Sequence, residues 1–243
     1  MAFDFDHTEL LCDRFYELVD PLGKDPKGRV RVRPGQLIRA QFYYPPTEPY
    51  IMEVLGCDPR DETRSQYVIK RLNPGESVTR HVPIKELGLR SDENYSILLA
   101  KKRPAVVLQT IESRWLNKLY AEPYVVATPC FTFKPRHDAE YQCNVMAMQY
   151  PNLFPVPGKP PGLSKPAVLR FELTQPLPLA ATEPFIRKEK GKNKHVVLSD
   201  RAWALLLHQF FKFTSGKSLD AELEDTIDAY GELVLDEFKK STM

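Results

Sequence analysis

Hydrophobic and polar positions predict a series of strands that gives way to helices at the C-terminus. The clearest strand signal is Ala105-Val106-Val107-Leu108, an uninterrupted apolar run behind the basic Lys101-Lys102-Arg103-Pro104. So short a run, rich in β-branched residues, predicts a strand buried on both faces. Pro104 has no N–H to give a ladder, so it is expected at the first residue of that strand. Arg103 then sits at a strand mouth, where a rigidly held cation suits phosphate binding or catalysis. The plainer reading is that Arg103 marks a solvated strand end, as most basic residues do.

A second strand is predicted over residues 36–44, entered through the Pro34-Gly35 turn and stopped by Pro45-Pro46. Residues 50–55 and 67–72 read as further strands, with Asn73-Pro74-Gly75 as a turn, and 95–99 leads into the Lys101–Leu108 run. Core strands are expected at 106–109 and 124–127, and others at 141–148 and 167–173. Helical spacing appears at 8–19, where Thr8 caps and Leu11, Phe15, Leu18 and Val19 share a face. It returns after Ser199, which caps a helix running to about residue 213 that Gly216 ends. The apolar residues of this helix exceed one stripe, so much of its circumference must be covered. A further helix begins at Ser218, with Leu219, Leu223, Ile227, Tyr230, Val234 and Phe238 at helical spacing. Core packing explains both helices, and a partner surface competes for the second.

Three irregular stretches separate these elements. Residues 24–33 alternate arginine with valine and read as an exposed strand or basic arm. Residues 150–166 are proline-dense and predict a long, stiff, solvated loop. Residues 187–194 form a basic loop, a solvated tip or a contact for RNA or an acidic protein.

Composition narrows the classes. The chain of 243 residues is 42% hydrophobic and 27% charged, as soluble globular proteins are. Its 34 basic and 32 acidic side chains leave a formal charge of +2, which argues against bulk electrostatic binding of nucleic acid but permits local patches. No apolar stretch approaches the ~20 residues of a membrane helix. The acidic N-terminus lacks a signal-peptide pattern, so a cytoplasmic protein without membrane association is expected. Cys12, Cys57, Cys130 and Cys143 are scattered, and no paired spacing predicts a disulfide framework or a metal site. No cofactor is expected.

Motifs in order along the chain resemble those of the MazF/PemK family of toxin endoribonucleases. Pro34-Gly35-Gln36-Leu37-Ile38-Arg39-Ala40-Gln41-Phe42 is similar to the family's opening turn and strand. Arg103-Pro104-Ala105-Val106-Val107-Leu108-Gln109 resembles its R-P-V-V-V-L-S motif, and Thr128-Pro129-Cys130-Phe131-Thr132 its P-x-T or P-C-T strand end. Ala167-Val168-Leu169-Arg170-Phe171-Glu172-Leu173 is similar to S-V-L-L-D-Q-L, and Leu198-Ser199 precedes a helix as in the family. The resemblance covers about half the chain. It implies an α+β, mainly β fold with a small, strongly curved, barrel-like sheet. It divides the chain into an N-terminal helix and basic arm at 1–33, a MazF/PemK-like domain at 34–216 and a helical extension at 217–243. Within the domain, about 48–98 would be an insertion and 150–166 the proline-rich loop.

The same resemblance implies metal-independent cleavage of single-stranded RNA, in which the 2′-hydroxyl attacks the adjacent phosphate. Arg103 would carry the developing phosphorane charge, and Thr132 would orient the phosphate or hydroxyl. Arg33, Lys101 and Lys102 would steer the RNA backbone, with Tyr43, Tyr44 or Trp115 as stacking surfaces. Two departures weigh against this. Phe131 stands where active members carry the threonine, so Thr132 reaches the site only if a bulge restores it. The family's Asp-Gln pair falls on Phe171-Glu172. The alternative is a catalytically degenerate regulatory or adaptor subunit that holds an antitoxin or other partner protein. A homodimer is compatible with either, and an unrelated β-rich domain is a third reading.

Overall fold

The computed structural model describes residues 11–25, 27–43, 50–58, 61–71, 73, 96–97, 99–111, 123–134 and 137–242. Along the first half run β1 (Tyr16–Val19), β2 (Leu37–Tyr43), β3 (Tyr50–Asp58), β4 (Asp61–Arg71), β5 (Ser96–Ile97), β6 (Ala100–Ile111) and β7 (Tyr124–Thr132). Then follow α1 (Ala139–Met146), β8 (Leu153–Val156), β9 (Ala167–Arg170), β10 (Gln175–Pro178), β11 (Thr182–Pro184), β12 (Ile186–Glu189) and β13 (Lys192–Leu198). Helices α2 (Asp200–Ser215) and α3 (Ala221–Thr242) close the chain. The fold is α+β and mainly β, and no closed barrel is found among the described residues.

Two compact units emerge, Tyr43–Lys101 and the combination of Met1–Phe42 with Lys102–Met243. The smaller unit is an antiparallel sheet in the order β4-β3-β5, with register shifts around Gly56. The stretch read as an insertion, about 48–98, falls inside it. The larger unit carries a sheet in the order β11-β2-β6-β7-β9-β8, with β10 also on β7, and a second sheet in the order β1-β13-β12. The Pro34-Gly35 turn stitches these two sheets together. Gly35 N–H donates to the Val107 carbonyl at 2.8 Å, and Gly35 O accepts from Leu198 N–H at 2.9 Å. Gly35 has φ +76° and lies against the Trp203 ring, a conformation that favours glycine.

The apolar run of β6, residues 105–108, is buried on both faces. Val106 packs into the main core with Leu37, Cys130 and Leu169, while Val107 faces Ile38, Val125, Ala127 and Leu177. Pro104 lies inside β6 rather than at its first residue. The ladder to β7 is joined at Ala105↔Pro129, so no bond of that ladder needs the missing N–H. The main core is covered by α2 and α3. Ser199 Oγ accepts from Ala202 N–H at 3.2 Å, and Gly216 ends α2 with φ +70°. From α3, Leu223, Ile227, Tyr230 and Val234 are buried in the same cluster.

Several segments depart from the sequence expectation. Of the helix expected at 8–19, residues 8–10 lie outside the described residues, and Tyr16–Val19 is strand β1, paired with β13. Leu11 and Phe15 reach the core from irregular backbone, so their helical spacing reflected burial alone. The strand expected at 141–148 is helix α1. Asp138 caps it, its carboxylate accepting from Tyr141 N–H at 2.7 Å. The strand at 167–173 stops at Arg170, and Phe171–Leu173 form a single 3-10 turn.

The proline-rich stretch is no solvated loop. Its residues 153–157 are buried, and β8 pairs β9 at the sheet edge, where Pro155 is tolerated. Tyr16 OH donates to the Pro157 carbonyl at 2.8 Å, and Gly162 sits flush on the Tyr16 ring. Residues 187–194 form a hairpin of β12 and β13 whose exposed tip turns at Lys190-Gly191 with φ 48° and 78°. The basic arm makes one bridge, Lys24↔Val30, around a turn held by Asp25. The turn expected at Asn73-Pro74-Gly75 lies largely outside the described residues. No helix among the described residues is long and apolar enough to cross a membrane.

Candidate functional site

The register of β6 on β7 decides what Arg103 meets. With Ala105 opposite Pro129, two further steps put Arg103 across from Phe131. The Arg103 Cζ lies 4.0 Å from the Phe131 ring centroid. From β9, on the other edge of β7, Arg170 Cζ approaches the same ring at 5.2 Å. One phenyl ring thus carries a guanidinium from each flanking strand, a cation–π arrangement that contributes about 0.5–1 kcal/mol per contact. Arg170 is also held by Glu172, its Nε donating to Oε1 at 2.7 Å. Asn152 Nδ2 donates to the other Glu172 oxygen at 3.3 Å. Phe131 continues into a half-buried aromatic cluster with Phe133, Tyr141 and Tyr150, seated on Val145, Leu153 and Val168.

Thr132 follows a different course. The pairs Cys130↔Leu169, Phe131↔Val168 and Thr132↔Ala167 run without a register shift, so no bulge intervenes. Successive side chains on a strand point to opposite faces. Thr132 is therefore turned to the face opposite Phe131 and its arginines, where it is exposed. Cys130, on the same face as Thr132, is buried in the core. Burial pushes its thiol pKa up to about 12, against the opposing pull of the Arg103 charge. At the positions where the resemblance set an Asp-Gln pair, Phe171 is buried against Phe210 and Phe213, and Glu172 is the partner of Arg170.

The remaining candidates are dispersed. Lys101 and Lys102 are exposed at the start of β6, and Lys102 Nζ pairs with Glu183 Oε1 at 2.5 Å. Arg33 lies by the far end of β6, lining a groove of about 710 Å³ with Thr110 and Tyr124. Arg103 and Thr110 are seven residues apart on one strand, on the order of 20 Å. Arg33 therefore serves a different place from Arg103. Tyr43 is exposed at the end of β2, whereas Tyr44 and Trp115 lie outside the described residues.

Sequence reasoning missed Arg170, whose only signal was its place within a predicted strand. It also missed the buried pair behind Arg33. Gln36 Nε2 donates to His195 Nδ1 at 3.1 Å, and Gln36 Oε1 accepts from Arg33 N–H at 3.1 Å. Burial, then the charge of Arg33, holds His195 below its ordinary pKa, which favours the neutral ring that this bond needs. His208 is a helix tie instead, its Nε2 2.6 Å from Glu224 Oε2. Among the described residues, no three metal-ligating side chains cluster. Comparison of the chain with protein-family models, curated proteins and solved structures finds no match.

Proposed function

We propose that the chain is a MazF/PemK-like module, with that family's curved, barrel-like architecture in residues 34–216, which works by binding a partner protein instead of cleaving RNA. The observation that carries this reading is the stacking of Arg103 on Phe131, with Thr132 turned to the other face. An endoribonuclease of this family needs the arginine and the threonine on one phosphate, because transition-state charge is stabilised only by groups already aimed at it. Here an aromatic ring fills the position beside the arginine. Arginine and aromatic side chains are the residue types that anchor protein interfaces. The Arg103–Phe131–Arg170 stack with its neighbouring tyrosines supplies them on one face.

The experiment is incubation of the purified chain with a mixed-sequence single-stranded RNA, with and without chelator. No cleavage above a no-protein control is expected under either condition. Metal-independent cleavage that Arg103→Ala abolishes would overturn the binding reading and restore the endoribonuclease.

A further inference from the structure

We infer that the groove beside residues 22–34 is a site for a nucleoside polyphosphate, independent of the Arg103 face. Its volume, about 710 Å³, is in the range of small-ligand pockets. One wall is cationic, with Lys27, Arg29, Arg31 and Arg33 all lining it. Asp25, the carboxylate among the lining residues, is neutralised by Arg29 at 2.7 Å and accepts two backbone N–H bonds.

Arg33 adds a second observation. Its Nη2 donates to the Asp20 carbonyl at 2.8 Å, yet its buried Nε has no hydrogen-bond partner. A buried donor without an acceptor is uncommon and costly. The Asp20 bond fixes this guanidinium at the groove lining, where its charge attracts a phosphate. The rest of the lining includes the apolar and aromatic Ile111, Tyr124 and Leu179, with Thr110 among them. A flat base fits against such a surface, and the Tyr124 ring suits stacking. Cations for phosphates and an aromatic surface for a base describe a nucleotide. The modest volume favours a small ligand over a track for a polymer.

Calorimetric titration of the full chain with ATP, GTP, adenosine and inorganic tripolyphosphate tests this. ATP or GTP is expected to bind at least tenfold more tightly than either adenosine or tripolyphosphate. Arg31→Ala should weaken that binding by about tenfold or more, as loss of a charge-assisted bond does. Arg31 is exposed, so this variant keeps the test valid if Arg33→Ala fails to fold. Lys188→Ala, on the exposed strand β12, should leave binding unchanged. Three results would overturn the inference: no nucleotide binding, tripolyphosphate binding as tightly as the nucleotides, or a single-stranded RNA or polyglutamate peptide binding more tightly than any nucleotide.

Discussion

Arg103 was conspicuous because three cations meet a proline and an apolar run within a few residues. Its partner was not, because Phe131 lies on another strand and only the register of β6 on β7 joins them. A one-residue offset between Phe131 and Thr132 then decides the chemistry, since it selects the face of the sheet. The same strand holds Cys130 on the inner side. Its thiol, raised to about 12 by burial, stays protonated at neutral and mildly alkaline pH. Cys130 should therefore resist iodoacetamide in the native protein at about pH 8 and react once the chain is denatured, as peptide mapping by mass spectrometry would show.

Among the elements, those with complete local signals were legible. The strand at Val106 announced itself by a short β-branched run, and α2 by Ser199 and Gly216 at its two ends. Elsewhere the signals were shared. Apolar spacing at Leu11 and Phe15 serves burial without a helix, and the Asp138 cap of α1 competes with apolar residues that read equally as a strand. Prolines obscured β8 because its place at the sheet edge, where Pro155 is harmless, is a property of the assembled sheet.

That packed proline-rich segment makes two stability predictions. Gly162→Ala would drive a methyl group to 2.3 Å from the Tyr16 ring and should cost about 1–3 kcal/mol in denaturant unfolding. Tyr16→Phe, which removes the bond to the Pro157 carbonyl, should cost about 1 kcal/mol. Between α2 and α3, Glu224 is bonded to Lys212 and His208. The Lys212 bond chiefly holds its carboxyl below the ordinary value, with His208 adding and burial opposing. A depressed carboxyl stabilises the fold above its unfolded pKa, and that contribution is lost as pH falls through the folded value. The thermal-stability advantage of the wild type over Glu224→Gln should thus be full at neutral pH and shrink below about pH 4.

At the scale of the molecule, near-neutral net charge disguised a segregated surface. The basic groove and the stacked arginines stand at opposite ends of the β6–β7 pair, on the order of 20 Å apart. Sequence order placed Arg33 and Arg103 in one RNA site, whereas the fold separates them into two, each with its own neighbours. A site assembled from several strands is legible only as far as its registers are, and here the register diverts the arginine from the threonine. The most direct test of this is a pair of double-mutant cycles on stability, measured by denaturant unfolding. The coupling between Arg103→Ala and Phe131→Ala should be about 0.5–2 kcal/mol. That between Arg103→Ala and Thr132→Ala should stay within the ~0.3–0.5 kcal/mol of independent sites. A strong Arg103–Thr132 coupling with none between Arg103 and Phe131 would contradict the account and put the two residues back on one face.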